Sequence, residues 1–307
     1  MIAPLQRGDK IAIVALARKV EFTDLLPAVQ ILESWGLEVM LGDTLHTNFH
    51  QFAGPDAIRI QDFQEMLDNP EVKAIFSARG GYGTTRLIDK IDFTYFRQQP
   101  KWLIGFSDIT ALHSHVHNFG VESIHGTMPL LFAKAGAENA VESLRKILFG
   151  EELTYNCPGH GLNIPGTAQG ILIGGNLSLL ATGIGTASDI DTTGKILFLE
   201  DLDEYLYHID RMLVQLDRAG KLKNLAGMVV GDMSDMKDNA VPFGKNAYEI
   251  ILEHVSKYNF PVAFGFPTGH EPENLALVCG RRASLTVSHT ATTLNYLTSP
   301  TSVGLSS

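Results

Sequence analysis

Three residues of this chain have the types and settings needed for acyl transfer at a serine: Ser107, Glu200 and His270. Ser107 follows the apolar run Trp102-Leu103-Ile104 and Gly105-Phe106, after which the pattern changes to the helical spacing of Ile109, Leu112 and Val116. A side chain at such a strand-to-helix turn projects from the carboxyl edge of a sheet, where the first helix N–H groups favour negative charge. Serine also suits a helix N-cap, and only the first glycine of a G-x-S-x-G elbow is present, Ile109 standing in place of the second. Glu200 follows the apolar run in Leu197-Phe198-Leu199-Glu200-Asp201, and because Asp201 or Asp203 can cap the next helix, Glu200 is left available. His270 lies in Gly265-Phe266-Pro267-Thr268-Gly269-His270-Glu271-Pro272, a loop whose glycines and prolines fix its path. A serine nucleophile needs a base that titrates near working pH, and that base needs a carboxylate to orient it. The chain offers nucleophile, acid and base in that order, although a capping serine and a solvated histidine are the plainer alternatives.

Other chemistries are weaker. Arg79-Gly80-Gly81-Tyr82-Gly83 brings glycines between a strand and a helix, but it matches neither G-x-G-x-x-G nor a loop ending in Gly-Lys-Ser/Thr. Its backbone donors can instead serve an oxyanion, with Arg79 pairing a substrate carboxylate or, more simply, a structural acid. His113, His115 and His117 suggest a metal site, yet on one helix His115 points away from the other two, and no H-E-x-x-H pattern occurs. Glu200 and Asp201, as neighbours on an extended chain, face opposite ways and do not make a glycosidase pair.

The elements that must position these residues follow from the pattern. From Asp9 to about Gly150, short apolar strands (10–16, 37–41, 72–77) alternate with amphipathic helices (23–35, 54–69), which implies an α/β fold with a parallel sheet. Ligands of such sheets bind outside the carboxyl ends of the strands, where Ser107 and the glycine cluster fall. Residues 154–170, with Pro158, Pro165 and four glycines, read as a linker between an N-terminal domain (1–153) and a C-terminal domain (171–307). The second domain has strands at 195–199, 226–231, 261–266 and 276–287 and helices at 203–219 and 246–258. It reads as an α+β or partly barrel-like unit, and the Ser- and Thr-rich last dozen residues are expected to fray. The 307 residues exceed what one core usually holds. A formal charge of −10 without a Lys/Arg cluster argues against nucleic acid or anionic membrane as a partner. Cys157 and Cys279 are too few for a disulfide framework, and no run is apolar enough to span a bilayer, so a reduced cytoplasmic protein is expected.

Several segments together resemble one family, the LD-carboxypeptidases or muramoyl-tetrapeptide carboxypeptidases, with the related immunity peptidases that inactivate a peptide–nucleotide antibiotic. The matching segments are Gly8-Asp9-Lys10-Ile11, Ala78-Arg79-Gly80-Gly81-Tyr82-Gly83, Gly105-Phe106-Ser107-Asp108-Ile109-Thr110, Gly174-Gly175-Asn176-Leu177, Leu197-Phe198-Leu199-Glu200-Asp201, Ile209-Asp210-Arg211 and Gly269-His270, in the family's order over nearly the whole chain. Ala15-Leu16-Ala17 departs from the Pro-Ser that relatives often carry after the first strand. The resemblance implies an N-terminal Rossmann- or flavodoxin-like domain, a smaller β-rich α+β domain, and a triad of Ser107, Glu200 and His270 assembled across their interface. It implies an oxyanion hole of backbone N–H groups, placed here at Asp108 and Gly81 in the Gly80-Gly81 turn, and the same loop offers Arg79 as the candidate for a substrate carboxylate, with Gly80 and Tyr82 beside it as candidate substrate contacts. It also implies a homodimer without cofactor or metal that hydrolyses the L,D-peptide bond to the terminal D-alanine of a murein tetrapeptide, in cell-wall peptide recycling. Two alternatives stand beside this: an immunity-type peptidase acting on an aminoacyl-nucleotide, with an aromatic platform such as Tyr82 or Trp102, and a non-enzymatic two-domain ligand-binding protein.

Overall fold

The computed structural model describes residues 2–297. Most of the Ser- and Thr-rich end that was expected to fray lies outside them. The strands are β1 (Lys10–Val14), β2 (Glu38–Leu41), β3 (Val72–Ser77), β4 (Trp102–Gly105), β5 (Ser123–His125), β6 (Thr154–Pro158), β7 (Gly166–Asn176), β8 (Ile196–Leu202), β9 (Gly227–Ser234), β10 (Val262–Phe264), β11 (Leu277–Cys279), β12 (Arg282–Val287) and β13 (Ala291–Tyr296).

The first sheet has the order β11-β5-β4-β3-β1-β2. Its first five strands are parallel and run 2-1-3-4-5, the flavodoxin-like doubly wound order, so the expected fold class is observed. Ile11 and Ile13 pack into one layer while Ala12 and Val14 pack into the other, as a strand covered by helices on both faces requires. The second sheet, β10-β9-β8-β7-β12-β13-β6, is parallel from β7 to β10 and antiparallel from β7 through β12 and β13 to β6. Helices Leu206–Arg218 and Ala247–Val255 cover it through Ile209, Leu213, Ile250 and Ile251.

Two stretches differ from expectation. Residues 154–170 hold β6 and the first part of β7 rather than a linker, because their alternating side chains, such as Tyr155 and Cys157, are buried against the second sheet. The apolar run 276–287 is not one strand. It breaks at Gly280 (φ +92°), and its first part, β11, crosses back to pair antiparallel with β5, while β12 pairs with β7. The second half of the chain therefore completes the edge of the first sheet.

Candidate active site

Ser107 has φ +61°, the left-handed region that a non-glycine residue seldom occupies. It opens the short 3₁₀ turn Ser107–Ile109 directly after β4, and helix Thr110–His117 continues from it. Neither helical segment receives a side-chain cap from Ser107, so the N-cap reading fails. The strain holds a half-exposed side chain at the carboxyl edge of the sheet, the arrangement of a nucleophile elbow. The Asp108 carboxylate next to it is buried and accepts a 2.8 Å bond from the Thr84 N–H, which ties this turn to the end of the Arg79–Gly83 loop.

Glu200 and His270 meet. His270 Nδ1 lies 2.7 Å from Glu200 Oε2, and the glutamate side chain is wholly buried. Glu200 sits at a register shift between β8 and β9, and this local bulge lets it and Asp201 serve different partners. The Asp201 carboxylate accepts from Asn176 Nδ2 and the Ser178 N–H at the start of helix Leu177–Gly183. The His270 loop closes tightly over both strands: a Cβ on Gly269 (φ +139°) would stand 3.0 Å from Asp232 Cβ and 3.2 Å from Glu200 Cβ. Asn274 Oδ1 accepts from the Gly269 N–H, and Thr268 O from the Asp232 N–H, which fixes the loop on both sides. Phe106, the residue before Ser107, presents its ring to the His270 ring at 4.9 Å between centroids. That contact joins Ser107's turn to the pair. Among the described residues the imidazole bonds Glu200 and not Ser107 directly.

The electrostatics favour a protonatable ring at His270. Burial pushes its pKa down, but the hydrogen bond and charge of Glu200, with the charges of Asp201 and Asp232, outweigh it and raise the value. Asp232 and Asp201 are themselves pushed up to about 7. Burial is the main cause in both, supported by the charges of Glu271 and Glu200 for Asp232 and of Glu200 for Asp201. Beneath Phe106 lies His125, at the end of β5. It is completely buried between the Phe106 and Phe198 rings, and its pKa is held well below the ordinary imidazole value by burial and by the neighbouring His113 and His270. This favours the neutral form of the His125 ring.

The glycine loop brings its own groups. A Cβ on Gly80 would lie 3.0 Å from Ser107 Cβ and 3.2 Å from its Oγ, so the loop passes directly over the hydroxyl. The N–H groups of Gly80 and Gly81 have no protein acceptor among the described residues. Arg79 is in no ion pair among the described residues, and its Nη1 donates to Lys19 O at 3.1 Å. The structural-acid alternative for Arg79 therefore does not hold. Tyr82 is 47% exposed beside Phe52, whereas Trp102 is buried and forms no platform. The three histidines of the helix are kept apart: His113 bonds Ser123 and Gly105 O, His115 bonds Ser188, and His117 meets Lys195.

Arg18, His125, Asp232 and Asn274 carry no motif that marks them in the sequence. His125 carried a usable signal, since it ends an apolar strand beside β4, but the others depend on which strands become neighbours.

Residues 11–126 match the LD-carboxypeptidase N-terminal domain and residues 169–285 its C-terminal domain. The chain belongs to the LD-carboxypeptidase family. Among its relatives, the probable murein peptide carboxypeptidase of Bacillus subtilis (strain 168) is 38% identical over 92% of this chain and 90% of that protein. The murein tetrapeptide carboxypeptidase of Pseudomonas aeruginosa is 30% identical over 90% of this chain and 92% of that one. The crystal structure of muramoyltetrapeptide carboxypeptidase from Oxalobacter formigenes superposes with a TM-score of 0.85 at 31% identity, covering 95% of this chain and all of the other. MccF, solved in complex with glutamyl sulfamoyl guanosine, gives the same TM-score at 21% identity over 96% of this chain and 99% of that one, and shares the fold. This LD-carboxypeptidase is therefore a serine-type hydrolase of two sheets, as the motifs implied. No described helix is long and apolar enough to cross a membrane.

Proposed function

We propose that this LD-carboxypeptidase hydrolyses the bond between an L-configured centre and a terminal D-amino acid, D-alanine of a murein tetrapeptide, with Ser107 as nucleophile, His270 as base and Glu200 as its orienting acid. The observation that carries the reading is the buried Glu200–His270 pair set beside a strained Ser107. With Nδ1 engaged by Glu200, Nε2 is the nitrogen that takes the Ser107 proton as Oγ attacks the carbonyl. Direct contact between the two forms when substrate draws them together, as catalytic hydrogen bonds often do. The Gly81 and Asp108 N–H groups receive the oxyanion, because the Gly80–Gly81 peptide passes over the hydroxyl. The imidazolium then returns its proton to the leaving amine and D-alanine departs. Water, deprotonated by His270, releases the acyl chain and restores the Ser107 hydroxyl.

Arg79 binds the free carboxylate that makes the enzyme an exopeptidase, and Gly80 and Tyr82 line the same cleft. The N-terminal unit (1–153) carries the nucleophile, and residues 171–307 carry acid and base. The same reading makes the protein a cytoplasmic homodimer of cell-wall peptide recycling. The names of the relatives from Bacillus subtilis and Pseudomonas aeruginosa support murein peptide as the substrate class.

The test is amino-acid release from a panel containing murein tetrapeptide, its D,D-terminated pentapeptide and an aminoacyl-nucleotide. Release of D-alanine from the tetrapeptide is expected. Turnover of the nucleotide conjugate alone would transfer the site to the immunity-type chemistry, and turnover of none would leave a binding protein.

A further inference from the structure

In a sheet of order 2-1-3-4-5 the strand connections reverse direction between β1 and β3, and the crevice that opens there, outside the carboxyl ends, is where ligands bind. Arg18 follows β1, Arg79 follows β3, and Ser107 follows β4, so three adjacent strand ends place them side by side. The contacts are direct. Arg79 Nη1 donates to the carbonyl of Lys19, the residue after Arg18. The vacant side of Gly81 (φ +118°) is filled by the Arg18 side chain, whose Cδ, Cγ and Nε would lie 2.6–3.2 Å from a Cβ there. The other glycine of the loop, Gly80, rests on Ser107.

Two guanidinium groups thus flank one loop, close enough that burial and the charge of Arg18 both lower the Arg79 pKa. Neither is in an ion pair among the described residues, in a chain with 34 acidic residues. The Arg79 Nε is buried without a hydrogen-bond partner. Adjacent guanidinium groups left unpaired repel, and a buried donor without an acceptor costs free energy, so an anion would stabilise the arrangement. A carboxylate suits it, since the planar fork of each arginine matches two oxygens.

We infer that Arg18 is a specificity-determining residue that, with Arg79, binds the α-carboxylate of the departing amino acid, Arg18 from the open side and Arg79 from the buried side. This rests on the proposed peptidase reaction. Arg18 is exposed and its side chain makes no hydrogen bond among the described residues, so replacing it leaves the fold intact. The experiment compares wild type, Arg18→Gln and Arg18→Lys on a murein tetrapeptide with a free C-terminus and on the same peptide as its C-terminal carboxamide. Arg18→Gln should lower kcat/KM on the free acid by roughly 10–100-fold, chiefly through KM, as loss of one charged hydrogen bond does. It should leave the carboxamide rate within twofold, and Arg18→Lys should recover part of the loss. An unchanged acid-to-amide preference, or an equal loss on both substrates, would overturn the assignment of Arg18 alone. Failure of the wild type to release D-alanine would overturn the underlying reaction and this role with it.

Discussion

Thr110 Oγ1 accepts a 3.0 Å hydrogen bond from the Asn176 N–H, across the seam between the two sheets. Thr110 begins the helix that follows Ser107, and Asn176 is paired in register with Glu200, so one bond relates the two sides of the site. The approach needs Gly175, where a Cβ would fall 2.5 Å from Thr110 Oγ1. Thr110→Val, nearly isosteric, should strand a buried N–H and cost about 1–3 kcal/mol of stability. Because docking sets the distance from Ser107 to His270, kcat should fall more than stability loss explains. Thermal unfolding and kcat measured on the same preparation check this, and a normal kcat in a destabilised variant would show that the seam does not align the site.

Ser107→Ala should lower kcat roughly 10⁴–10⁶-fold with little change in stability, since no cap is lost. Ser107→Gly should be equally inactive and about 1 kcal/mol more stable, because glycine relieves the left-handed backbone while adding unfolded-chain entropy. Denaturant unfolding of both variants measures the difference. A Ser107→Gly protein no more stable than Ser107→Ala would mean that the strain in the turn does not exceed the entropy that glycine adds to the unfolded chain.

Glu200→Gln should reduce kcat on the order of 10²–10⁴-fold, because an amide orients the ring but does not stabilise the imidazolium. The sign of the pH effect is separate. In the proposed reaction only deprotonated His270 serves as the base, so the wild-type rate is expected to rise with pH, with its midpoint above the ordinary imidazole value of about 6.5 because the ring's pKa is raised. Removing the Glu200 charge should move that midpoint down while the plateau drops. A midpoint that stays put would separate Glu200 from the titrating base.

Asp232→Asn should also move the midpoint down, by less, because the Asp232 charge is the smaller of the raising influences on His270. Its carboxyl is pushed up to about 7, so its charge develops over the same pH range as the ring's titration. The wild-type profile should then be shallower than a single titration, and that of Asp232→Asn should steepen, with Asp201, also pushed up to about 7, keeping part of the broadening. Identical slopes would mean that the two groups do not interact.

Dialysis against a strong chelator should leave hydrolysis unchanged, because each helix histidine is engaged by a separate protein partner and the proposed steps draw nucleophile and base from the chain. Loss of activity restored by zinc would move the chemistry to those histidines.

The alternation of short apolar strands with amphipathic helices was legible in the sequence, because side-chain periodicity is a local property and sorts a doubly wound sheet from other folds. So was the setting of Ser107, Glu200 and His270 near strand ends, since a polar residue closing an apolar run marks where a strand emerges. What a run of apolar residues does not specify is its partner. Residues 276–287 are one buried stretch by composition, yet Gly280 divides them between the two sheets, and 154–170 look like a linker until β13 and β12 are there to pair with them. For the same reason the neighbours of the site came only with the fold. Arg18 reaches the loop of Arg79 because β1 lies next to β3, and His125 lies near His270 because β5 lies next to β4 and β11. These contacts join residues scores of positions apart, and their free energy comes from burial and charge in the assembled interior, which no local pattern of residues encodes.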